Sequence, residues 1–123
     1  KLYNDSYGHV AGDECICKIA NALSECFNRP GDIVARYGGE EFILFLSGGN
    51  IEEHHELVKR IHRTIQKSPI SSDNTVVNMT VSIGVTSLNS NYSMSFEGAV
   101  KSADEQLYKS KRTGKNKISI YVQ

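Results

Sequence analysis

The chain has no excess of either charge. Lysine and arginine total 14, and aspartate and glutamate total 14. That balance argues against a general nucleic-acid surface, which carries a basic excess. It leaves room for a single nucleotide, which needs only a local cluster of charge. No apolar run approaches the roughly 20 residues needed to cross a bilayer, and the first residues show no secretory pattern. Cysteine is scarce: Cys15, Cys17 and Cys26 are odd in number, crowded together, and lack the spacing of structural zinc ligands. They read as reduced thiols on or near a buried helix face. There is no internal repeat, low-complexity tract or linker. At 123 residues the chain suits one compact domain and leaves no room for two. These absences lead us to expect a cytoplasmic domain with no membrane contact and no nucleic acid polymer as partner.

What is present is periodic. Ile16, Ile19, Ala20, Leu23, Cys26 and Phe27 recur at three- and four-residue spacing and predict a helix over 13–27. Arg29-Pro30-Gly31-Asp32 breaks it. Ile33 to Tyr37 and Phe42 to Leu46 predict two strands joined at Gly38-Gly39, since glycine accepts the positive φ of tight turns. A second helix spans 52–67, with Leu57, Val58, Ile61 and Ile65 on its buried side, and Pro69 follows it. Met79, Val81, Ile83 and Val85 alternate with polar or small residues and predict a strand. Phe96, Ala99, Val100, Ala103 and Leu107 form a third helical stripe, and Ile118, Ile120 and Val122 a last strand. Residues 86–95, rich in serine and asparagine, read as loop.

The order is helix, hairpin, helix, strand, helix, strand. Packing three helices on a sheet usually begins with a strand that feeds the first helix. A strand ahead of Lys1 would complete a βαββαβ pattern with an extra αβ. We therefore expect an α+β, ferredoxin-like palm, with helices packed on a central, mostly antiparallel sheet. Its first strand would be missing from this chain and lie near the middle of the sheet, where its absence leaves two unpaired edges.

The segment Arg36-Tyr37-Gly38-Gly39-Glu40-Glu41-Phe42 carries the most chemistry. Two glycines let a backbone turn approach a ligand closely. Two carboxylates follow at once and can hold a hard cation such as Mg²⁺ through oxygen. A plain hairpin with two solvated glutamates has the same local sequence. The wider chain separates the two readings. Lys1-Leu2-Tyr3-Asn4-Asp5, then Gly8-His9 and Gly12-Asp13, the GGEEF block, Val81-Ser82-Ile83-Gly84-Val85, and Ala103-Asp104 through Lys111 to Gly114-Lys115-Asn116 follow one another in order. In these blocks the sequence resembles the GGDEF family of diguanylate cyclases, in its GGEEF variant, over essentially its whole length.

The resemblance implies roles by position. Glu40 matches the family's metal-binding acid. Glu41 matches the next acid, which binds metal or activates the attacking hydroxyl. Gly38 and Gly39 match the turn that approaches the triphosphate. Asn4 and Asp13 match residues that bind guanine, and an aspartate can accept from guanine N1–H and N2–H₂. Asp13 also suits a helix N-cap, and Asn4 a loop residue bonded to its own backbone. Lys111 and Lys115 match a basic pair on the phosphates, although lysines at a helix C-terminus also offset the macrodipole. Lysine at 115, where arginine is frequent, keeps the charge and loses the bidentate fork. Lys1 matches a further phosphate-contacting lysine. His9 belongs to the family motif as a loop residue of structural or chemical role. Arg29 and Asp32 match the RxxD site that binds the inhibitory product, and Arg60 falls where a secondary arginine of that site lies. By themselves Arg29–Asp32 are a loop and Arg60 a solvated helix residue.

The implied activity is condensation of two GTP into cyclic di-GMP with release of pyrophosphate, using Mg²⁺ or Mn²⁺. Each domain holds one GTP, so a homodimer is needed. A bacterial, cytoplasmic GGDEF domain over 1–123 is implied, lacking its N-terminal strand and preceding helix. An upstream sensory or receiver domain, in a parent that can be membrane-anchored, goes with it. The family's first strand carries an aspartate that shares the metals, and the resemblance puts it ahead of Lys1. A different reading is a non-catalytic module that senses GTP or cyclic di-GMP; intact Glu40 and Glu41 favour the enzyme. A dimerisation scaffold gives no reason to retain Glu40, Glu41, Lys111 and Lys115 together. Adenylyl cyclase and polymerase palms share the expected layout, but not the guanine-matching Asn4 and Asp13.

Overall fold

Val81, Ile83 and Val85 point to one side of their strand, and Ser82, Gly84 and Thr86 to the other. That alternation decides where each helix sits. The computed structural model describes residues 1–4, 12–72, 75–88 and 94–122. Its elements are β1 (Leu2–Asn4), α1 (Gly12–Cys26), β2 (Ile33–Gly38), β3 (Glu41–Phe45), α2 (Ile51–Gln66), β4 (Ile70–Ser72), β5 (Thr75–Val77), β6 (Val81–Ser87), α3 (Phe96–Arg112) and β7 (Ile118–Val122). The five-stranded sheet runs β2-β3-β1-β6-β7, antiparallel except for the β6–β7 pair.

On one face Leu2, Phe42, Val81 and Ile83 pack against Ile19 and Leu23 of α1 and Val58, Ile61 and Ile65 of α2. Each such side chain contributes about 1.5–3 kcal/mol on full burial, so this layer is the main core. On the other face α3 lies on β6 and β7. Thr86 Oγ1 donates to Ser102 Oγ at 2.7 Å, and Ser110 Oγ donates to the Ile83 carbonyl at 2.9 Å. These bonds satisfy hydroxyls that burial would otherwise penalise. Helix starts are capped as sequence chemistry requires. Asn50 accepts from the Glu53 N–H at 2.9 Å, and Ser95 accepts from the Gly98 N–H at 3.0 Å.

The expected order needs one correction, at its front. The chain does not open on a helix: Leu2–Asn4 is a strand, and it holds the central place assigned to a strand ahead of Lys1. Three residues are too few for a period of two to register. Leu2 pairs with both Phe42 and Ile83 and is buried between them. Beyond Lys1, β3 and β6 run on with no strand between them among the described residues. There they flank a cleft of about 500 Å³ lined by Leu44, Leu46, Val85 and Ser87, and by α2 and α3 from opposite faces. With one strand pairing both, β3 and β6 stand about 9.6 Å apart, two strand spacings.

The remaining differences are small. The β4–β5 hairpin has no counterpart in the sequence reading, and Thr86 and Ser87 belong to β6 rather than to a loop. Helix α3 continues past Leu107 to Arg112, with Lys109, Lys111 and Arg112 in its last turn, where cations suit the dipole. All three cysteines are free thiols on α1, Cys15 buried, Cys26 half-buried and Cys17 exposed. Among the described residues no helix is long and apolar enough to cross a membrane.

Helix α3 comes closest to a glycine of the sheet at Gly84, among the described residues. A Cβ there would stand 2.1 Å from the Leu107 backbone nitrogen and 2.3 Å from the Ala103 carbonyl oxygen. Both obstacles are helix backbone and cannot rotate away. Gly84→Ala is expected to destabilise the fold by about 3 kcal/mol, at the upper end of overpacking effects. Chemical denaturation measures this, and a change below about 0.5 kcal/mol would show that α3 moves freely on the sheet.

Candidate active site

The β2–β3 turn is held from within. Register shifts between Arg36 and Gly38, and Gly39 turns with φ +43°. Arg36 Nε and Nη2 both donate to the Gly39 carbonyl, at 3.0 and 2.8 Å. A Cβ on Gly38 or Gly39 would meet nothing within 4 Å, so the turn's backbone faces open space. Glu40 is half-buried on this turn, and no hydrogen bond or ion pair engages it among the described residues. Glu41 opens β3 opposite Tyr3.

Beside Glu41 lies an enclosed cation. The Lys1 ammonium is 2.6 Å from Asp104 Oδ1, 3.5 Å from Glu41 Oε2 and 4.1 Å from the centre of the Tyr37 ring. Its side chain is only 5% exposed. Burial pushes its pKa down, but the hydrogen bond to Asp104 and the charges of Asp104 and Glu41 outweigh that and leave it raised. The backbone at Lys1 continues the ladder, accepting from the Gly84 N–H at 2.8 Å.

The other expected residues lie on β1, α1, α3 and the loop after α3. Asn4 ends β1 opposite Val81, and Asp13 is the second residue of α1. Helix α1 starts at Gly12, one residue ahead of the predicted start. His9 lies outside the described residues. Lys111 is half-buried on α3, seven residues beyond Asp104. It therefore shares that helix face, about 10.5 Å further along. Lys115 is exposed in the loop after α3, with φ +59°, and its N–H donates to the Ser110 carbonyl at 3.0 Å. Asn116 follows with φ +51°, and its N–H donates to Ser82 Oγ at 3.2 Å.

Arg29 and Asp32 sit elsewhere, at the far end of the hairpin. Ile33, next to Asp32, pairs with Phe45, five residues from Gly38, or about 17 Å along the strand. The structure brings the two side chains together and onto each other. Arg29 Nε and Nη2 donate to the two Asp32 carboxylate oxygens at 3.0 and 3.1 Å, and the Arg29 N–H adds a third bond at 3.1 Å. The hydrogen bond from Arg29 holds the Asp32 carboxyl below its usual range, and the same bond raises the guanidinium. Arg60 is exposed on α2, and no described contact joins it to this pair. It lies two helical turns beyond Glu53, whose charge acts on Arg29.

Among the described residues no group of three or more His, Cys, Asp or Glu could hold a metal. The oxygen donors at the turn are Glu40 and Glu41. That set fits Mg²⁺, which is usually held by one or two carboxylates with substrate phosphates and water. The sequence reading missed Arg36, Tyr37 and Asp104 as working parts of the site. Two of them adjoin the glycine pair, and Asp104 is marked by its two-turn spacing from Lys111.

A family profile described as the GGDEF domain of diguanylate cyclases matches residues 1–117. The chain belongs to the GGDEF family. Diguanylate cyclase A of Treponema denticola is 38% identical to it over 120 residues, which are 98% of this chain and 32% of that protein. Diguanylate cyclase DgcM of Escherichia coli K12 is 38% identical over 118 residues, 96% of this chain and 27% of that protein. The chain thus spans about a third or less of the length of these curated relatives. A solved structure described as the active GGEEF domain of a Vibrio cholerae diguanylate cyclase aligns at TM-score 0.77 and 27% identity, over 99% of this chain and 81% of that one. The GGDEF domain of DgcB from Caulobacter crescentus, solved with c-di-GMP, aligns at TM-score 0.83 and 24% identity, over 97% of this chain and 75% of that one. The second likeness speaks to fold, and the α+β palm expected from sequence is the fold these GGDEF domains share.

The Arg29–Asp32 pair carries a pH signature. A depressed folded pKa stabilises above the unfolded value, about 3.9, and that stability is lost as pH falls through the folded value. A ¹³C titration of the Asp32 carboxyl is expected to give a midpoint below the ordinary aspartate value, and Arg29→Met should move it upward. A midpoint at the ordinary value in the parent chain would mean that the pair does not form in solution.

Proposed function

We propose that this chain is the catalytic GGDEF domain of a diguanylate cyclase, which condenses two GTP into cyclic di-GMP in a homodimer. The observation that carries this reading is the open glycine turn bearing Glu40 and Glu41, with the Lys1 ammonium beside it. Gly38 and Gly39 admit a triphosphate against the backbone. Asn4 and Asp13 take the guanine base, and Lys1, Lys111 and Lys115 take phosphate charge. Glu40 and Glu41 hold Mg²⁺ or Mn²⁺, and a bound metal neutralises the charge that builds on the phosphates during attack. The 3′-hydroxyl of one GTP attacks the α-phosphate of the other, pyrophosphate leaves, and a second such step closes the ring. Neither half carries both substrates, so two chains must face each other.

The cleft between β3 and β6 supports a further part of this reading. It is wide enough for one strand, and a strand there would pair with the backbone of both walls. In our reading a segment ahead of Lys1 takes that place and brings the aspartate that joins Glu40 on the metal. Arg29, Asp32 and Arg60 serve as the product site. Their use requires Arg29 to release Asp32, since both carboxylate oxygens are engaged.

The test is formation of cyclic di-GMP from GTP and Mg²⁺ by the full-length protein. Glu40→Ala is expected to lower the rate about 100-fold or more, the scale of groups that stabilise transition-state charge. Nucleotide that binds without turning over in the parent protein would instead identify a GTP- or cyclic di-GMP-sensing module.

A further inference from the structure

We infer that Asp104 is a positioning residue that holds the Lys1 ammonium away from Glu41 and so keeps the Glu41 carboxylate available to a divalent cation. The inference rests on the reading of Glu41 as a metal ligand.

Three groups compete for one buried ammonium. Asp104 has the close contact, 2.6 Å, while Glu41 stands off at 3.5 Å and the Tyr37 ring closes the third side at 4.1 Å. A lysine side chain that is 5% exposed has little access to water, and an unpaired buried charge is strongly disfavoured. Without the Asp104 carboxylate, Glu41 is the one remaining protein carboxylate in ion-pair reach of the ammonium among the described residues, and a bound phosphate is common to every arm of the test below. The ammonium would then close on Glu41 to an ordinary charge-assisted distance of about 2.8 Å. An oxygen engaged in that way is a poorer ligand, since cation and ammonium compete for the same lone pairs. Asp104 can act like this because it sits on α3, fixed over β6 by the Gly84 contact one residue away, at Ala103. Its own carboxylate is about half exposed, at 46%, so it is not itself enclosed at the turn.

A double-mutant cycle on Mn²⁺ affinity tests this, read by electron paramagnetic resonance of the full-length protein with a non-hydrolysable GTP analogue. Asp104→Asn is expected to weaken Mn²⁺ binding about 5- to 10-fold, with Asp104→Glu recovering most of the loss. In a Lys1→Met background, Asp104→Asn is expected to change the affinity less than 2-fold, because no ammonium is left to restrain. Equal losses in both backgrounds would overturn the inference, since Asp104 would then act on the cation directly through its charge. No loss in the parent background would overturn it as well. Thermal unfolding of each variant separates a lost fold from a lost ligand. If the parent protein binds no Mn²⁺ beside the nucleotide, the metal reading of Glu41 falls and this inference with it. Binding with an uncoupled cycle removes the inference alone.

Discussion

The close seating of α3 on Gly84 is the constraint from which the site follows. The helix backbone reaches the strand backbone because no side chain separates them. That brings Ala103, and with it Asp104, to the level of Lys1. Ser102 and Ser110, one on each side of the contact, then bond to Thr86 and to the Ile83 carbonyl. The same seating directs the last turn of α3, with Lys111, toward the end of the sheet that carries the glycine turn. The basic end of the helix and the acidic turn of the hairpin are brought together by packing. Their opposite charges complement that placement without causing it.

The β2–β3 hairpin gives the molecule two separated polar centres. At one end Arg36 grips the turn's carbonyl while Glu40 stands unengaged among the described residues. At the other end Arg29 and Asp32 close on each other. One centre is built open and the other is built satisfied, on the same pair of strands. A ligand at the first adds contacts, whereas a ligand at the second must exchange them, and exchange returns less net free energy per bond formed.

Much of this was legible in the sequence. Stripes of Ile19, Leu23, Ile61 and Ile65, and the alternation of Val81 and Ile83, gave the core because periodicity reports burial directly. The GGEEF block gave the turn because few residues tolerate its geometry. The first strand escaped notice because Leu2–Asn4 is shorter than its own pattern, and its burial depends on Phe42 and Ile83, remote in sequence. Asp104 escaped as a site residue because its partner is Lys1, an ammonium it shares with Glu41. No local signal announces a contact between residues a hundred positions apart. Arg29 and Asp32 were recognised as neighbours, but their mutual bonding is a matter of side-chain conformation that spacing does not encode.

Lys115 and Asn116 adopt left-handed backbone angles in succession. Asparagine tolerates that region; the Cβ of lysine crowds the following carbonyl oxygen there, at about 1 kcal/mol or more that glycine would avoid. Selection for stability alone would put glycine or asparagine at position 115. The cation therefore stands in opposition to the local chain. A search for sturdier variants of this domain would be drawn to position 115 and would gain robustness by surrendering a charge that the proposed function sets beside the nucleotide.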